Sequence, residues 1–281
     1  MQNTSTDLVH ANGILSDAQV RSIAPSVFAT DRNHRRTSER YSFLSTEEII
    51  KPLRQEGWQI VGVNTTGSRH PDATLADRSF ARHMVVLAHA RDLEKYNYSK
   101  VCPRVILTNS HDGASACRLQ AGLFRTACAN GLVIADGVIQ SRVIRHSRTT
   151  IDQAVLAAIY LQEQSERSLE RVEAFSAREL DYSEQVAFAA NAIGIRYGSE
   201  EVAARPHDVL AARREEDKGN DLWRVFNRVQ ENIVKGGFEV TRPKLGWQIS
   251  QQRAKEIKAI DGLLGINTKL WAAAEDLVLP A

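Results

Sequence analysis

The chain has 281 residues, 36 basic against 34 acidic side chains and a formal charge of +2, with 43% hydrophobic, 25% charged and 6% aromatic residues. This is globular composition, enough for one large domain or two smaller ones. The pI of about 8.4 excludes the strongly cationic surface of a dedicated duplex-DNA coat protein, and no run approaches the roughly 20 apolar residues of a membrane span.

Met1 to His10 is polar and lacks the basic start and apolar run of a secretory signal, so a loose leader (residues 1–20) on a cytoplasmic protein is expected. Ser16, with Gln19 three residues on, predicts a capped short helix whose apolar side is Val20 and Ile23, stopped at Pro25. Asp31 to Arg40 has no apolar period and reads as a basic loop or arm. Ser45 to Glu56 reads as a helix with Ile49, Ile50 and Leu53 inward, Thr46 as a cap, Pro52 as an awkward interior residue and Gly57 as its end.

Trp58 to Thr65 reads as a strand, with Trp58, Ile60 and Gly62 on one side and Gln59, Val61 and Val63 on the other. His83 to Ala90 is a second strand. Arg104 to Asn109 is a third, apolar on both faces as a central strand would be. After the turn Asn109-Ser110-His111-Asp112-Gly113, the spacing of Ala116, Leu119, Leu123, Phe124 and Ala127 predicts a helix over 116–129, with Ser115 as its cap and Asn130-Gly131 as its stop. Leu132 to Ala135 and Val138 to Ile144 read as strands about an Asp136-Gly137 turn.

Beyond residue 150 the chain turns helical: Ile151 to Gly198, Asp221 to Lys235 with Leu222, Val225, Phe226, Val229 and Ile233 as its buried stripe, and Leu270 to Leu279. The expected class is therefore α+β. A small mixed or antiparallel sheet packs with helices in a core over residues 21–150, and a helical region over 151–281 packs on it. Cys102, Cys117 and Cys128 are an odd set with no close pair, and are expected as reduced, mostly buried thiols.

Several stretches together carry a family resemblance. They are Ile106 to Ser115 with Gly122-Leu123-Phe124-Arg125 and Cys128 to Gly131; Pro25 to Ala29 with Ser38 to Tyr41; and Asn220 to Trp223 with Asn227 to Asn232 and Lys235 to Gly237. Leu270-Trp271, within Asn267 to Glu275, is a further match. On these the chain resembles the phage- and plasmid-like proteins grouped as domain of unknown function 932. The resemblance implies a setting on mobile elements and transfers no catalytic residue. The order of helix, strands and long basic helix is also similar, in topology alone, to the single-strand annealing proteins of recombination.

On a helix, Arg118 and Arg125 would lie about 10 Å apart on one stripe and could grip successive phosphates. A solvated helix face is the competing reading. Arg142, Arg145, His146 and Arg148 form a second basic cluster, and Arg32, Arg35, Arg36 and Arg40 a third. Local clusters of this kind suffice for phosphate binding in a nearly neutral protein. Tyr41 and Trp58 are the candidate base-stacking rings. His111 and Asp112 are candidates for acid–base or metal chemistry; alternatively Asn109, Ser110 and Asp112 serve the turn and Gly113 its backbone. His83 and His89 share a strand face but lie about 20 Å apart, too far for one metal. Arg224, Arg228, Glu231 and Lys235 form a polar stripe that, with Asn227, Gln230 and Asn232, would read base edges or make an interface.

No phosphate-binding loop, dinucleotide fingerprint, nucleophile elbow or zinc-protease motif is present, so no cofactor or metal is expected. The expectation is a non-enzymatic protein, a candidate homo-oligomer, that binds or anneals single-stranded DNA for a plasmid, phage or integrated element. The alternatives are a module that counters a host defence protein and a metal-dependent nuclease centred on His111 and Asp112.

Overall fold

The Ser16 capping box closes the start of α1, Asp17–Ile23: the Ser16 hydroxyl accepts from the Gln19 backbone and the Gln19 side chain accepts from Ser16. Pro25 then opens a 3-10 turn, Pro25–Phe28. The computed structural model describes residues 9–10, 13–30, 43–65, 79–95, 101–111, 116–125, 132–133, 142–143, 150–198, 202–243 and 249–278. The chain is α+β and divides into two units, Met1–Arg167 and Ser168–Ala281.

In the first unit, β1 (Val9–His10) pairs with β2 (Trp58–Thr65). From there an antiparallel meander runs through β3 (His83–His89) and β4 (Val101–Asn109) to β5 (Arg118–Arg125). Two short strands, β6 (Leu132–Val133) and β7 (Arg142–Val143), both pair with β5. α2 (Thr46–Gln55) precedes β2 and α3 (Ala90–Lys95) follows β3. One sheet face, with Trp58, Ile60, Val63, Val85, Leu87, Val105, Leu107 and Leu119, closes a core with α1, α2 and the first half of the long helix α4, Thr150–Ala177. Val63 joins Trp58 and Ile60 in that core, against the simple alternation. A bulge between Ile60 and Gly62 inserts one residue and reverses the parity beyond it.

The expected helix over 116–129 is instead β5. Leu119 and Leu123, both fully buried, are four apart, a spacing that serves a helix turn and a strand face equally. β4 is buried on both faces and leaves its far edge to be paired, and β5 pairs it over eight register positions, Val101↔Arg125 to Thr108↔Arg118. The backbone polar groups of a buried central strand must find partners, and that requirement outweighs the local preference. Cys117 sits just before β5. It and Cys102 are buried thiols outside any disulfide, and burial pushes the Cys117 thiol up to about 12; Cys128 and the Asp136-Gly137 turn lie outside the described residues.

The second unit centres on α7, Leu222–Lys235, packed against α5 (Tyr182–Tyr197), α6 (Pro206–Leu210) and α8 (Ile260–Glu275). α8 starts ten residues earlier than its sequence suggests, because Ile260, Leu263, Leu264 and Ile266 are drawn into the core. A three-stranded antiparallel sheet, unforeseen in the sequence, consists of β8 (Ala203–Ala204), β9 (Glu239–Pro243) and β10 (Ile249–Arg253). Among the described residues, no helix is long and apolar enough to cross a membrane.

Gly236 ends α7 at φ +69, and a Cβ there would stand 2.3 Å from the Ala254 carbonyl oxygen. Gly236→Ala is therefore expected to destabilise the protein by about 2 kcal/mol or more, the cost of a left-handed alanine plus a backbone clash. Urea denaturation measures this directly, with Gly265→Ala as the control, since nothing lies within 4 Å of a Cβ at that helical position.

Candidate functional site

The turn after β4 is built from buried polar side chains. Asn109 is 1% exposed, Ser110 1% and His111 1%. Asn109 Nδ2 donates to the Leu44 carbonyl at 3.1 Å and to Thr46 Oγ1 at 2.9 Å, while its Oδ1 accepts from the Ser110 backbone at 2.9 Å. Asn109 thus ties the end of β4 to the start of α2. Thr46 accepts from Asn109, which leaves its hydroxyl proton for His83 Nε2, 2.8 Å away. His83 Nδ1–H then donates to the Ala81 carbonyl at 3.0 Å. This chain of donors fixes one neutral tautomer of His83. His111 Nε2–H donates to the Ser26 carbonyl at 2.9 Å, anchoring the 3-10 turn, and its ring lies 5.2 Å from that of His83 and 4.8 Å from that of Phe43. Burial, with the neighbouring His111 and Arg82 charges, holds His83 down at about 3.

This arrangement assigns Asn109 and Ser110 to the turn. His111 is enclosed, with Nε2 committed to a carbonyl, which leaves no open face for a substrate. Among the described residues no three His, Cys, Asp or Glu side chains are grouped to hold a metal; Asp112 and Gly113 lie outside those residues. Sequence reading missed His83 and Thr46 as members of this cluster. The register His83↔Asn109 is what places them there, and it follows once β3 and β4 are set antiparallel.

Of the candidate nucleic-acid contacts, Arg118 is exposed at the start of β5. Arg125 ends the same strand, seven positions on; that separation returns to one stripe on a helix but is an odd number on a strand. β7 brings position 142 beside position 118 through the register Arg118↔Val143 and Leu119↔Arg142. The two are diagonal neighbours of opposite parity, since facing partners share a side. The side chains of Arg125 and Arg142 lie outside the described set, as do residues Arg35, Arg36, Arg40, Tyr41, Arg145 and Arg148 altogether. Trp58 is 1% exposed and packs edge-on to His89 at 5.5 Å, so it is a core residue and not a stacking platform.

A family model described as Domain of unknown function (DUF932) matches residues 33–261. The chain belongs to this family. Two Escherichia coli (strain K12) proteins, UPF0380 protein YafZ and UPF0380 protein YfjQ, are similar to it. Each is 31% identical over 274 residues, covering 98% of this chain and 95% of the relative. No solved structure matches.

In this DUF932 chain the middle of the α7 polar stripe turns inward, while Arg224 at its start is exposed and Lys235 at its end half-buried. Arg228 and Glu231 are each 7% exposed, Gln230 5% and Asn232 3%. Arg228 donates to Gln185 Oε1 at 2.6 Å and to the Asp217 and Gly219 carbonyls at 3.1 and 2.6 Å. Glu231 pairs with Arg214 at 3.1 Å, and Gln230 Nε2 donates to Asn267 Oδ1 at 2.8 Å. Asn232 Nδ2 reaches the Val209 and Ala211 carbonyls. The amides of the stripe are instead bonded to α6, α7 itself, α8 and the residue after α6. Its C-terminal carbonyls are closed by Arg196 on Ile233 and Arg213 on Gly236, cations at the negative end of the helix dipole.

Proposed function

We propose that this protein binds single-stranded DNA, as an annealing-type accessory protein serving a plasmid, phage or integrated element. The observation that carries the reading is the pairing of β7 with β5, which sets two arginine-bearing segments side by side at one end of the sheet. Exposed Arg118 lies at that junction, where a guanidinium would hold a phosphate oxygen with two parallel hydrogen bonds. Contact would follow the outer rim of the sheet and not its broad faces. One face is the core, and on the other Met84, Val86 and Ile106 are each 0% exposed. A rim of arginines acts through phosphates, so binding would be indifferent to sequence and steeply salt-dependent.

Fluorescence anisotropy with a labelled oligonucleotide at several salt concentrations tests this. Affinity is expected to fall steeply with salt, and Arg118→Ala to weaken it and lower the slope of log affinity against log salt by about 1. Binding that ignores salt, or none at all, removes the proposal.

A second reading, an interaction module that counters a host defence protein, is favoured by the outward apolar residues of α4: Leu156 at 67% exposure, Ile159 at 43% and Tyr160 at 39%. It requires a stoichiometric complex in a host pull-down, lost in Leu156→Ser, with no oligonucleotide binding.

A further inference from the structure

We infer that the outer edge of β10 pairs with the same edge of a second copy of this chain, so that two three-stranded sheets join across a two-fold axis at Gln251.

The sheet order β10-β9-β8 leaves β10 at an edge, and among the described residues no strand pairs with its outer side. Which groups point there follows from the last rungs of the hairpin. Ala254 N–H donates to the Phe238 carbonyl at 2.9 Å, and the Ala254 carbonyl accepts from Gly237 N–H at 2.8 Å. Gly237 stands at φ +89, so a glycine bulge closes on Ala254. Facing residues of an antiparallel pair alternate between bonded and non-bonded. With Ala254 bonded, the register makes Gln252 with Val240 and Ser250 with Arg242 the bonded pairs. Ile249, opposite Pro243, falls in the non-bonded phase, as it must, since proline has no N–H to give. Ile249, Gln251 and Arg253 therefore turn their N–H and C=O groups away from β9, to the open edge. Their side chains are all exposed, Ile249 at 69%.

A second copy in antiparallel register about Gln251 satisfies every one of these groups. Gln251 faces Gln251 of the second copy, and Ile249 of each copy faces Arg253 of the other, each pair exchanging both backbone bonds. The side chains agree with this register. A glutamine amide both donates and accepts, so it is complementary to itself across the axis. Ile249 is covered by the aliphatic stem of the facing arginine. The two Arg253 charges stay about 14 Å apart along the strand. A register that slides them opposite each other sets like charges face to face and is disfavoured. Glu239 faces Arg253 across the hairpin, so each arginine brings its own counter-charge to the joined sheet. Nor is the edge blunted. Native edges are guarded by proline, lysine or bulges on the edge strand; Ile249-Ser250-Gln251-Gln252-Arg253 has no proline and no charge before its last residue. The pairing uses the second unit alone and does not depend on DNA.

Sedimentation equilibrium of the full chain over a dilution series is expected to show a reversible monomer–dimer equilibrium. Gln251→Pro removes the central outward N–H but no rung of the β9 ladder, and should leave monomer at concentrations where the unaltered chain is paired. Gln251→Lys sets like charges opposite each other; it should do the same at low salt and regain pairing at high salt, and it carries the test if the proline variant does not fold. Amide exchange followed by NMR should alternate along the strand. Ile249, Gln251 and Arg253 gain protection as concentration rises, while Ser250 and Gln252, already bonded to β9, do not change. A chain that is monomeric at every concentration overturns the proposal. So does a dimer that persists in both variants, or protection of the outward amides that ignores concentration, the sign of a strand from within the same chain.

Discussion

Trp271→Ala is expected to destabilise the second unit by about 3–5 kcal/mol, the range for removing a fully buried large aromatic side chain. Trp271 is 0% exposed and lies at the meeting point of α4, α7 and α8. Its ring centroid is 4.9 Å from that of Phe175, 5.7 Å from Phe226 in a T-shaped contact and 6.4 Å from Trp223. Alanine would remove all three ring contacts and leave a cavity that rigid helices close only in part. Trp271→Phe makes the instructive contrast. The indole Nε1 is buried and finds no hydrogen-bond acceptor among the described residues, so phenylalanine gives up no bond and removes a polar group that burial penalises. Its cost should stay below about 2 kcal/mol, a volume change alone. Urea denaturation of both variants decides the matter; an alanine variant as stable as the phenylalanine one would mean that the cluster does not hold this unit together.

Arg228→Met should cost about 3–5 kcal/mol although the substitution conserves most of the volume. The reason lies with the partners. Truncation leaves Gln185 Oε1 and the Asp217 and Gly219 carbonyls without their donor, and an unsatisfied buried acceptor costs about 1–3 kcal/mol. Gln185 also donates to the Leu180 carbonyl and to Asn220 Oδ1, so the loss propagates to the strap before α5 and the loop before α7. A double-mutant cycle with Gln185→Leu separates the pair from the rest. The two losses should fall short of additive by 1 kcal/mol or so, because each single change already breaks the shared bond. Full additivity would place the cost of Arg228→Met elsewhere. Lys at this position should rescue poorly, since three acceptors in different directions suit the guanidinium fork and not a single ammonium.

Much of the fold is legible wherever the determining interactions are short in sequence. The Ser16–Gln19 box spans three residues and acts as read. Trp58–Thr65 and His83–His89 follow from β-branched and apolar runs bounded by turn residues, and the helix after Asp221 from its apolar stripe, its Asp221 cap and its Gly236 stop. The candidate site was legible only in part. That Asn109 and Ser110 serve the turn followed from their chemistry. That His111 would meet His83 did not, because their bond partners lie 37 residues away for His83 with Thr46 and 85 for His111 with Ser26.

By itself, then, the sequence determined the α+β class, the family, most of the capped helices and the strands of the first half. Each of these rests on periodicity or on hydrogen bonds within a few residues. Tertiary structure alone decided three things: that residues 118–125 extend instead of coil, that the middle of the α7 polar stripe turns inward, and that two histidines share one closed site. In the first case Leu119 and Leu123 satisfy both periods, and the unpaired edge of β4 selects the strand. In the second, a stripe of Arg, Glu, Asn and Gln belongs on the surface unless segments outside the helix supply its partners, as Asp217, Gly219, Val209 and Ala211 do here. In the third, antiparallel register brings His83 to Asn109. Which segments become neighbours is set by burial summed over the whole chain, and no local window of sequence contains that sum.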